Sequence, residues 1–317
     1  MLSIFLAVIL GSSTWAAQPI EVQGHRGCRA LKSENSLPAF NFAIDQGVDV
    51  IEMDLAVTKD MQLVVSHNPQ INPEICLDLR GHHMTSENAP WIHDLTLAEV
   101  QKYDCGSIPH PRFKTQVTTS DLAQGHMTYI PTLDEVFELV QKKEKNKDLP
   151  PGYIPVRFNI ETKSFRDVAK DDHPVSPAQF ARLWYDKVKQ HGMLKRSIFQ
   201  SFDYRTLIAV KGIDKSVVIA ALSEDPSEDL VQTARQLSAE IISPMWNMPN
   251  VNEKTIAALH KRHTQIVPWT VNTPEGWDKL IVLGTDSIIS DNPVALIAYL
   301  KEKGIPRLGT SVAKRHR

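Results

Sequence analysis

Gly24-His25-Arg26-Gly27, Glu52-Met53-Asp54, Ser66-His67-Asn68-Pro69 and Glu161-Thr162-Lys163 place two histidines, an arginine, a lysine and three carboxylates at the ends of short apolar runs. Histidine takes or gives a proton near neutral pH, so His25 and His67 are candidates for an acid–base pair. A lone histidine has an ordinary structural reading; two of them bracketing a carboxylate pair argue for chemistry. Glu52 and Asp54, two apart on a strand, share a face, and Glu161 can join them from a neighbouring strand. Three close carboxylates repel at low effective dielectric, and a hard cation relieves that repulsion. All-oxygen ligands suit Ca2+ or Mg2+ better than Zn2+. The same spacing also allows a salt-bridge cluster with Arg26 and Lys163. Fixed positive charge from Arg26 and Lys163, beside a cation and two histidines, suits a phosphate ester, whose non-bridging oxygens need neutralising and whose leaving oxygen needs a proton. Trp246 and Trp269 can line the organic end of such a pocket, with ordinary packing as the alternative for Trp269. The other histidines, His110 among them, fall in loops or on helix faces and receive no role.

Such groups need a frame that brings strand ends together. Residues 20–23 read as a strand, followed by a helix that Asn35 or Ser36 can cap, with Pro38 in its first turn and Gly47 at its end. Residues 48–57 and 63–65 read as strands around a turn at Thr58-Lys59-Asp60-Met61. From Gln70 to about Met127 the pattern lapses into a Pro-, His- and polar-rich excursion, read as passing over the active-site face. Thr132 and Glu135 form a capping box for the next helix. Strands at 156–160, 197–199, 217–220, 241–242, 266–271 and 287–289 then alternate with helices at 177–190, 203–210, 226–238, 252–262, 274–283 and 294–301. About eight strands, each followed by a helix, imply parallel pairing and a (β/α)8 TIM barrel with an insertion after the second strand region. A doubly wound open sheet is the alternative, but the run after the first strand does not match G-x-G-x-x-G. On a barrel, sites gather where strands end, which also brings Gln200-Ser201, Pro244 and Asp291-Asn292 to that face.

The 317 residues carry a formal net charge of -2, with 42% hydrophobic and 23% charged residues, so a nucleic-acid or membrane-surface partner is not indicated. Leu2 to Leu10 is almost unbroken apolar and leads to small residues ending at Ala16-Ala17. That is the pattern of a secretory signal, whose apolar part runs roughly 7–15 residues, whereas a membrane span needs about 20. The expected organisation is a signal peptide at 1–17, a barrel at 18–304 with its insertion at about 70–127, and a basic tail at 305–317, on an exported, periplasmic or secreted protein. Of the three cysteines, Cys76 and Cys105 both fall in the insertion and are the expected pair, leaving Cys28 free.

The combination His25-Arg26-Gly27, Glu34-Asn35, Glu52-Met53-Asp54, Thr58-Lys59-Asp60 and His67-Asn68-Pro69 resembles the glycerophosphodiester phosphodiesterase family. Asn159-Ile160-Glu161-Thr162-Lys163, Gln200-Ser201-Phe202, Val267-Pro268-Trp269-Thr270-Val271-Asn272 and Ile289-Ser290-Asp291-Asn292-Pro293 extend the resemblance along nearly the whole expected mature chain. It implies a (β/α)8 barrel that hydrolyses glycerophosphodiesters to sn-glycerol 3-phosphate and an alcohol. It also implies one divalent cation, Ca2+ or Mg2+, on Glu52, Asp54 and Glu161, catalytic His25 and His67, and phosphate-binding Arg26 and Lys163. A barrel phosphodiesterase acting on lipids and a non-catalytic phosphodiester-binding protein are the rival readings. Two departures stand out. The family's usual His-Asp-Pro is His67-Asn68-Pro69, which keeps an acceptor but loses a charge. The family's usual glycine after Lys-Asp is Met61 here, so Asp60 is the expected left-handed residue.

Overall fold

The computed structural model describes residues 18–118, 127–164 and 175–308. The expected signal peptide, residues 309–317 of the tail and residues 119–126 of the excursion lie outside the described residues. In chain order the first elements are β1 (Glu21–Gly24), α1 (Leu37–Asp45), β2 (Val50–Val57), β3 (Leu63–Val65), α2 (Leu97–Val100) and α3 (Leu133–Asn146). Next come β4 (Arg157–Thr162), α4 (Pro177–Gln190), β5 (Ser197–Ser201), α5 (Tyr204–Ile213), β6 (Val218–Ser223) and α6 (Leu230–Leu237). The chain ends with β7 (Ile241–Pro244), α7 (Glu253–His260), β8 (Gln265–Ile266), α8 (Pro274–Leu283), β9 (Ser287–Ser290) and α9 (Pro293–Glu302).

Eight parallel strands follow one another in the order β8-β7-β6-β5-β4-β2-β1-β9, and β3 pairs antiparallel with β2 off that path. The two ends of the order are joined by backbone hydrogen bonds from Asp286 N to Ile266 O (3.1 Å), Ile289 N to Pro268 O (3.1 Å) and Val271 N to Ile289 O (3.0 Å). The fold is therefore the (β/α)8 TIM barrel that the alternation implied.

Local chemistry sets most boundaries. Ser36 Oγ accepts from Ala39 N (3.2 Å) at the start of α1, and Gly47 takes φ +72° beyond its end. Capping boxes at Thr132/Glu135 and Ser176/Gln179 begin α3 and α4. Three expectations need correction. Helix α6 begins at Leu230, not Pro226, because the Asp229 carboxylate accepts from Val231 N and Gln232 N (both 3.0 Å) and so caps it there. The expected strand 266–271 is paired as β8 only through Ile266: Pro268 has no N–H for a ladder, and Trp269 rejoins β7's extension through a bridge to Met245. At the 58–61 turn it is Met61 itself, at φ +62°, and not Asp60 that adopts the left-handed conformation. Asp60 instead accepts from Thr58 Oγ1 (2.6 Å) and Leu97 N (2.9 Å).

Every residue of β2 is buried, as expected for a parallel strand covered on both faces. Ile51, Met53 and Leu55 pack outward into the main core with Phe40, Phe137 and Phe158, while Glu52 and Asp54 point into the barrel. The interior is divided. Ile198, Ala220, Ile241, Val267 and Ile289 form one apolar cluster. Under β1, β2, β4 and β5 runs a polar ladder: Arg157 to Glu21 (2.6 Å), Asn159 Nδ2 to Gln23 (2.9 Å) and to Gln200 (2.8 Å), and Gln200 Nε2 to Glu52 (3.5 Å).

The excursion has its own small core, in which Ile71, Ile75, Ile92, Val100 and Ile130 pack with Ala56 and Val64. The Cys76–Cys105 disulfide closes it, and Cys28 is free and buried, its thiol pushed up to about 12 chiefly by burial. The excursion also buttresses the loop between β1 and α1. Gln116 Nε2 donates to the carbonyls of Arg29 and Lys32, Val117 N donates to Leu31 O (3.0 Å), and Ser33 Oγ donates to Cys105 O (2.5 Å). A Cys76→Ser/Cys105→Ser variant is expected to lose about 3.6 kcal/mol of stability, the chain-entropy value for a sequence separation of 29. Urea denaturation checks this; a loss below about 0.5 kcal/mol would mean the excursion unfolds separately from the barrel.

Candidate active site

The site is assembled at the C-terminal ends of β1, β2, β4 and β9. β1 ends at Gly24, where a Cβ would collide with the carbonyl of Gly27. The chain then turns tightly, with Arg26 at φ +49° and Gly27 at φ +85°. A left-handed arginine is strained, and the surroundings hold it there: Arg26 N donates to Glu52 Oε2 (2.8 Å) and Asn35 N donates to Arg26 O (3.0 Å). Asn35, itself at φ +53°, donates through Nδ2 to Asp54 Oδ2 (2.8 Å).

On β2 and β4, Asp54 and Glu161 are register partners, and Glu52 lies two residues before Asp54 on the same face. Ligand atoms from Glu52, Asp54 and Glu161 all lie within 4.8 Å of one another, and all three residues are buried. Two cations are threaded among them. Lys163 Nζ lies 2.7 Å from Glu161 Oε1 and 3.1 Å from Asp54 Oδ1. Arg26 places Nε 3.2 Å from Asp54 Oδ2 and Nη1 2.8 Å from Glu34 Oε1. The other oxygen of Glu34 meets Arg29 Nη2 at 2.8 Å. The carboxylate triad and the salt-bridge cluster are thus one structure.

The histidines differ in their backing. His25 Nδ1 donates to Asp291 Oδ1 (2.5 Å), whose other oxygen accepts from Asn272 Nδ2 (2.7 Å). This leaves His25 Nε2 as the ring nitrogen that can carry or accept a transferred proton, 3.9 Å from Glu52 Oε2. His67 Nδ1 donates to Asn68 Oδ1 (2.9 Å), so the asparagine retains the acceptor and lacks only the charge. Trp269 is half-buried. Its indole N–H donates to Ser243 O (2.8 Å) and its ring meets Phe202 edge-on at 5.5 Å, so it presents an aromatic surface rather than a donor. Trp246 lies beside it, under the ammonium of Lys279 (5.5 Å).

Burial and charge pull these groups apart in acidity. Burial would raise Asp54, but Lys163 and Arg26 outweigh it and hold the carboxyl well below the usual range. Burial, joined by Asp54, lifts Glu52 well above that range. Burial also pushes Glu161 up to about 7 in spite of Lys163. Burial lowers His67 to about 4, with Asp54 opposing and Lys163 and Arg26 assisting. Burial lowers His25 as well, against the pull of Asp291. For Asp291 burial is outweighed by His25 and Arg29, and the carboxyl sits at about 2.

The donor set fits a hard divalent cation. Five carboxylates (Glu34, Glu52, Asp54, Glu161, Asp291) face three fixed cations (Arg26, Arg29, Lys163) among the described residues. Three of those carboxylates converge as all-oxygen ligands. A cation there must displace the protons that burial favours on Glu52 and Glu161, so its affinity is expected to rise from pH 6 to pH 8. Calcium titrations by calorimetry at the two pH values check this; equal affinities would rule these carboxylates out as the ligands.

His25, Arg26, Glu52, Asp54, His67, Glu161 and Lys163 are thus brought to one end of the barrel. Asp291, Asn272, Glu34 and Arg29 share that site although no role was read for them in the sequence. Strand-end position was the available signal for Asp291, and the Glu34-Asn35 pair for Glu34; neither identifies its partner.

The model of the glycerophosphoryl diester phosphodiesterase family matches residues 25–295. A glycerophosphodiester phosphodiesterase of Caldanaerobacter subterraneus subsp. tengcongensis is 27% identical over 285 residues, covering 89% of this chain and 98% of that protein. A lysophospholipase D of Homo sapiens is 21% identical over 287 residues, covering 87% and 84%. The fold is shared with an Oleispira antarctica phosphodiesterase solved in complex with its product sn-glycerol-3-phosphate, with a TM-score of 0.68 at 18% identity over 89% of this chain and 96% of that one. With the family match running from His25 into the first turn of α9, this chain belongs to the glycerophosphoryl diester phosphodiesterase family.

Proposed function

We propose that this protein hydrolyses glycerophosphodiesters to sn-glycerol 3-phosphate and an alcohol. The observation that carries the reading is the His25–Asp291 pair standing 3.9 Å from a three-carboxylate cluster that also holds Arg26 and Lys163. Glu52, Asp54 and Glu161 would hold one Ca2+ or Mg2+, which when bound neutralises charge on the non-bridging phosphate oxygens. Arg26 has Nε and Nη1 engaged by Asp54 and Glu34, which fixes its plane and leaves Nη2 for a phosphate oxygen. Lys163 adds a second positive charge, and the Trp269 ring offers an apolar surface to the organic part.

The two histidines take different parts in this proposal. Burial lowers both imidazoles, but His25 has a carboxylate behind it that favours the protonated form, whereas His67 has only a neutral amide. His67 therefore removes the proton from the attacking oxygen, that of water or of a neighbouring glycerol hydroxyl whose cyclic ester water then opens, and His25 delivers one to the departing alcohol. Export belongs to the same proposal. It is supported by the Leu2–Leu10 apolar run and by the Cys76–Cys105 disulfide, a bond that persists in oxidising compartments. No helix among the described residues is long and apolar enough to cross a membrane.

The test is release of glycerol 3-phosphate from glycerophosphocholine with and without chelator, then with Ca2+ or Mg2+ restored separately. Release that stops on chelation and returns with a cation is expected. Binding of the substrate without release would favour a binding protein, and turnover of lysophosphatidylcholine in preference would favour a phospholipase.

A further inference from the structure

Arg29 joins the active site to the excursion. Its Nη2 lies 2.8 Å from Glu34 Oε2, and its Nε lies 3.9 Å from Asp291 Oδ1, the oxygen that holds His25. Glu34 in turn holds Arg26. Neither Arg29 Nε nor Glu34 Oε2 finds a hydrogen-bond partner, so these two contacts are attractions of charge that do not by themselves fix the plane of the guanidinium. The directed bond at its Nη2 edge comes from the excursion, where His110 Nε2 stands 3.0 Å away. Phe113 lies 5.3 Å from the same guanidinium and 5.4 Å from the His110 ring. His82 and His83 of the excursion are exposed, whereas His110 is 3% exposed and its backbone N–H donates to Gln116 Oε1 (2.7 Å).

Two donors converge on this ring, Arg29 Nη2 on Nε2 and Arg112 N (3.1 Å) on Nδ1. A neutral imidazole has one lone pair and an imidazolium has none. Burial lowers the pKa of His110, with Arg29 and Arg112 assisting and Glu34 and Glu74 opposing, so the ring is neutral at neutral pH and satisfies one donor only. A bond from an ionised donor is the stronger of the two, which places the lone pair on Nε2. Glu74 Oε2, 3.5 Å from Nε2, favours the opposite tautomer, but its side chain is 60% exposed and solvent screens its pull.

We propose that His110 is a positioning residue of the active site: its Nε2 lone pair fixes the Arg29 guanidinium, and Arg29 so held sets the directions of Glu34 and Asp291 behind Arg26 and His25. The role rests on the phosphodiesterase reading above and adds to it a residue 81 positions from Arg29 in the chain. His110 acts through Arg29 and not on the substrate. The excursion thereby contributes to turnover by holding charged groups in place, as side chains behind a reacting group do elsewhere.

The test separates the two ring nitrogens. Glutamine places its amide oxygen near the position of Nε2 and asparagine near that of Nδ1, so His110→Gln keeps the acceptor for Arg29 and His110→Asn the one for Arg112. The measure is kcat/KM for release of glycerol 3-phosphate from glycerophosphocholine. His110→Gln is expected within about twofold of the wild type and His110→Asn about tenfold lower, the lower end of the range for residues that orient a site's working groups. Arg29→Met reaches the contact from its other side and is expected to lose at least about tenfold. In that background His110→Asn should cost no more than about twofold, because the bond it removes is already gone. An asparagine variant that works better than the glutamine one gives the lone pair to Arg112 and overturns the proposal. Equal losses in the two variants overturn it too, as does a full further loss on top of Arg29→Met. An Arg29→Met variant within about twofold of the wild type overturns it whatever the His110 variants do. If the wild type releases no glycerol 3-phosphate, the phosphodiesterase reading falls and this role with it.

Discussion

Replacing His25 by alanine is expected to lower turnover of glycerophosphocholine by about 10²- to 10⁴-fold, the range that a positioned acid or base contributes. The size of the loss alone does not identify the role of the residue; its dependence on the leaving group does. An alkoxide is a poor leaving group and needs a proton as its bond to phosphorus breaks. A nitrophenolate leaves readily without one. If His25 carries the proton to the leaving oxygen, the His25→Ala defect should shrink to about tenfold or less on a nitrophenyl phosphodiester. The His67→Ala defect should persist on both substrates, because the attacking hydroxyl still has to lose its proton. Asp291→Asn should follow His25→Ala in kind and fall short of it in size, since the amide can hold the ring but cannot stabilise the imidazolium. Its effect should lie in kcat, with KM little altered. The assignment fails if His67→Ala, and not His25→Ala, is the variant relieved by the better leaving group.

How far these residues could be read from the chain depended on the range of the interaction that fixes them. Alternation of strand and helix is a local pattern, and it led directly to the barrel. The period of two along β2 put Glu52 and Asp54 on one face, and the barrel then obliged that face to be the interior. The partner of His25 was of another kind. Asp291 lies 266 residues away and reaches His25 only because β9 closes against β1, with Gly24 opposite Ser290. Nothing in the local sequence specifies that register. The acceptor expected of Asn68 is the one His67 uses, because that bond needs only an oxygen. The excursion was legible as an excursion but not as a support, since its bonds to the 29–33 loop are made by Gln116, Val117 and the Cys105 carbonyl, groups without any sequence signature. Met61 shows the same limit at a turn: the side chain of Asp60 was better used as an acceptor for Leu97 N, and that left the positive φ to its neighbour.

Asp54→Asn is expected to be the more damaging change, because it acts on the cation site, the phosphate-binding groups and stability together. The Asp54 carboxylate is 1% exposed, and Asn35, Arg26 and Lys163 all bind it. An amide of the same shape removes the charge that Arg26 and Lys163 share and turns an N–H pair toward one of them. Uncompensated buried charge costs about 3–5 kcal/mol; with Glu34 and Glu161 still in place the lower end applies. Activity should fall by at least about 10³-fold, the equivalent of several kcal/mol of lost electrostatic stabilisation at roughly 1.4 kcal/mol per decade. The stabilisation expected of saturating Ca2+ in the wild type, about 2.7 kcal/mol at 100 times its Kd, should disappear. The pH dependence supplies an independent check. The carboxyl is more acidic folded than unfolded, so its contribution is complete above the unfolded value of about 4 and declines as pH falls toward the folded one. Unfolding free energies of the wild type and Asp54→Asn should therefore differ most at neutral pH and converge in acid. A variant that keeps activity within tenfold and the same Ca2+-induced shift would remove Asp54 from the centre of the site.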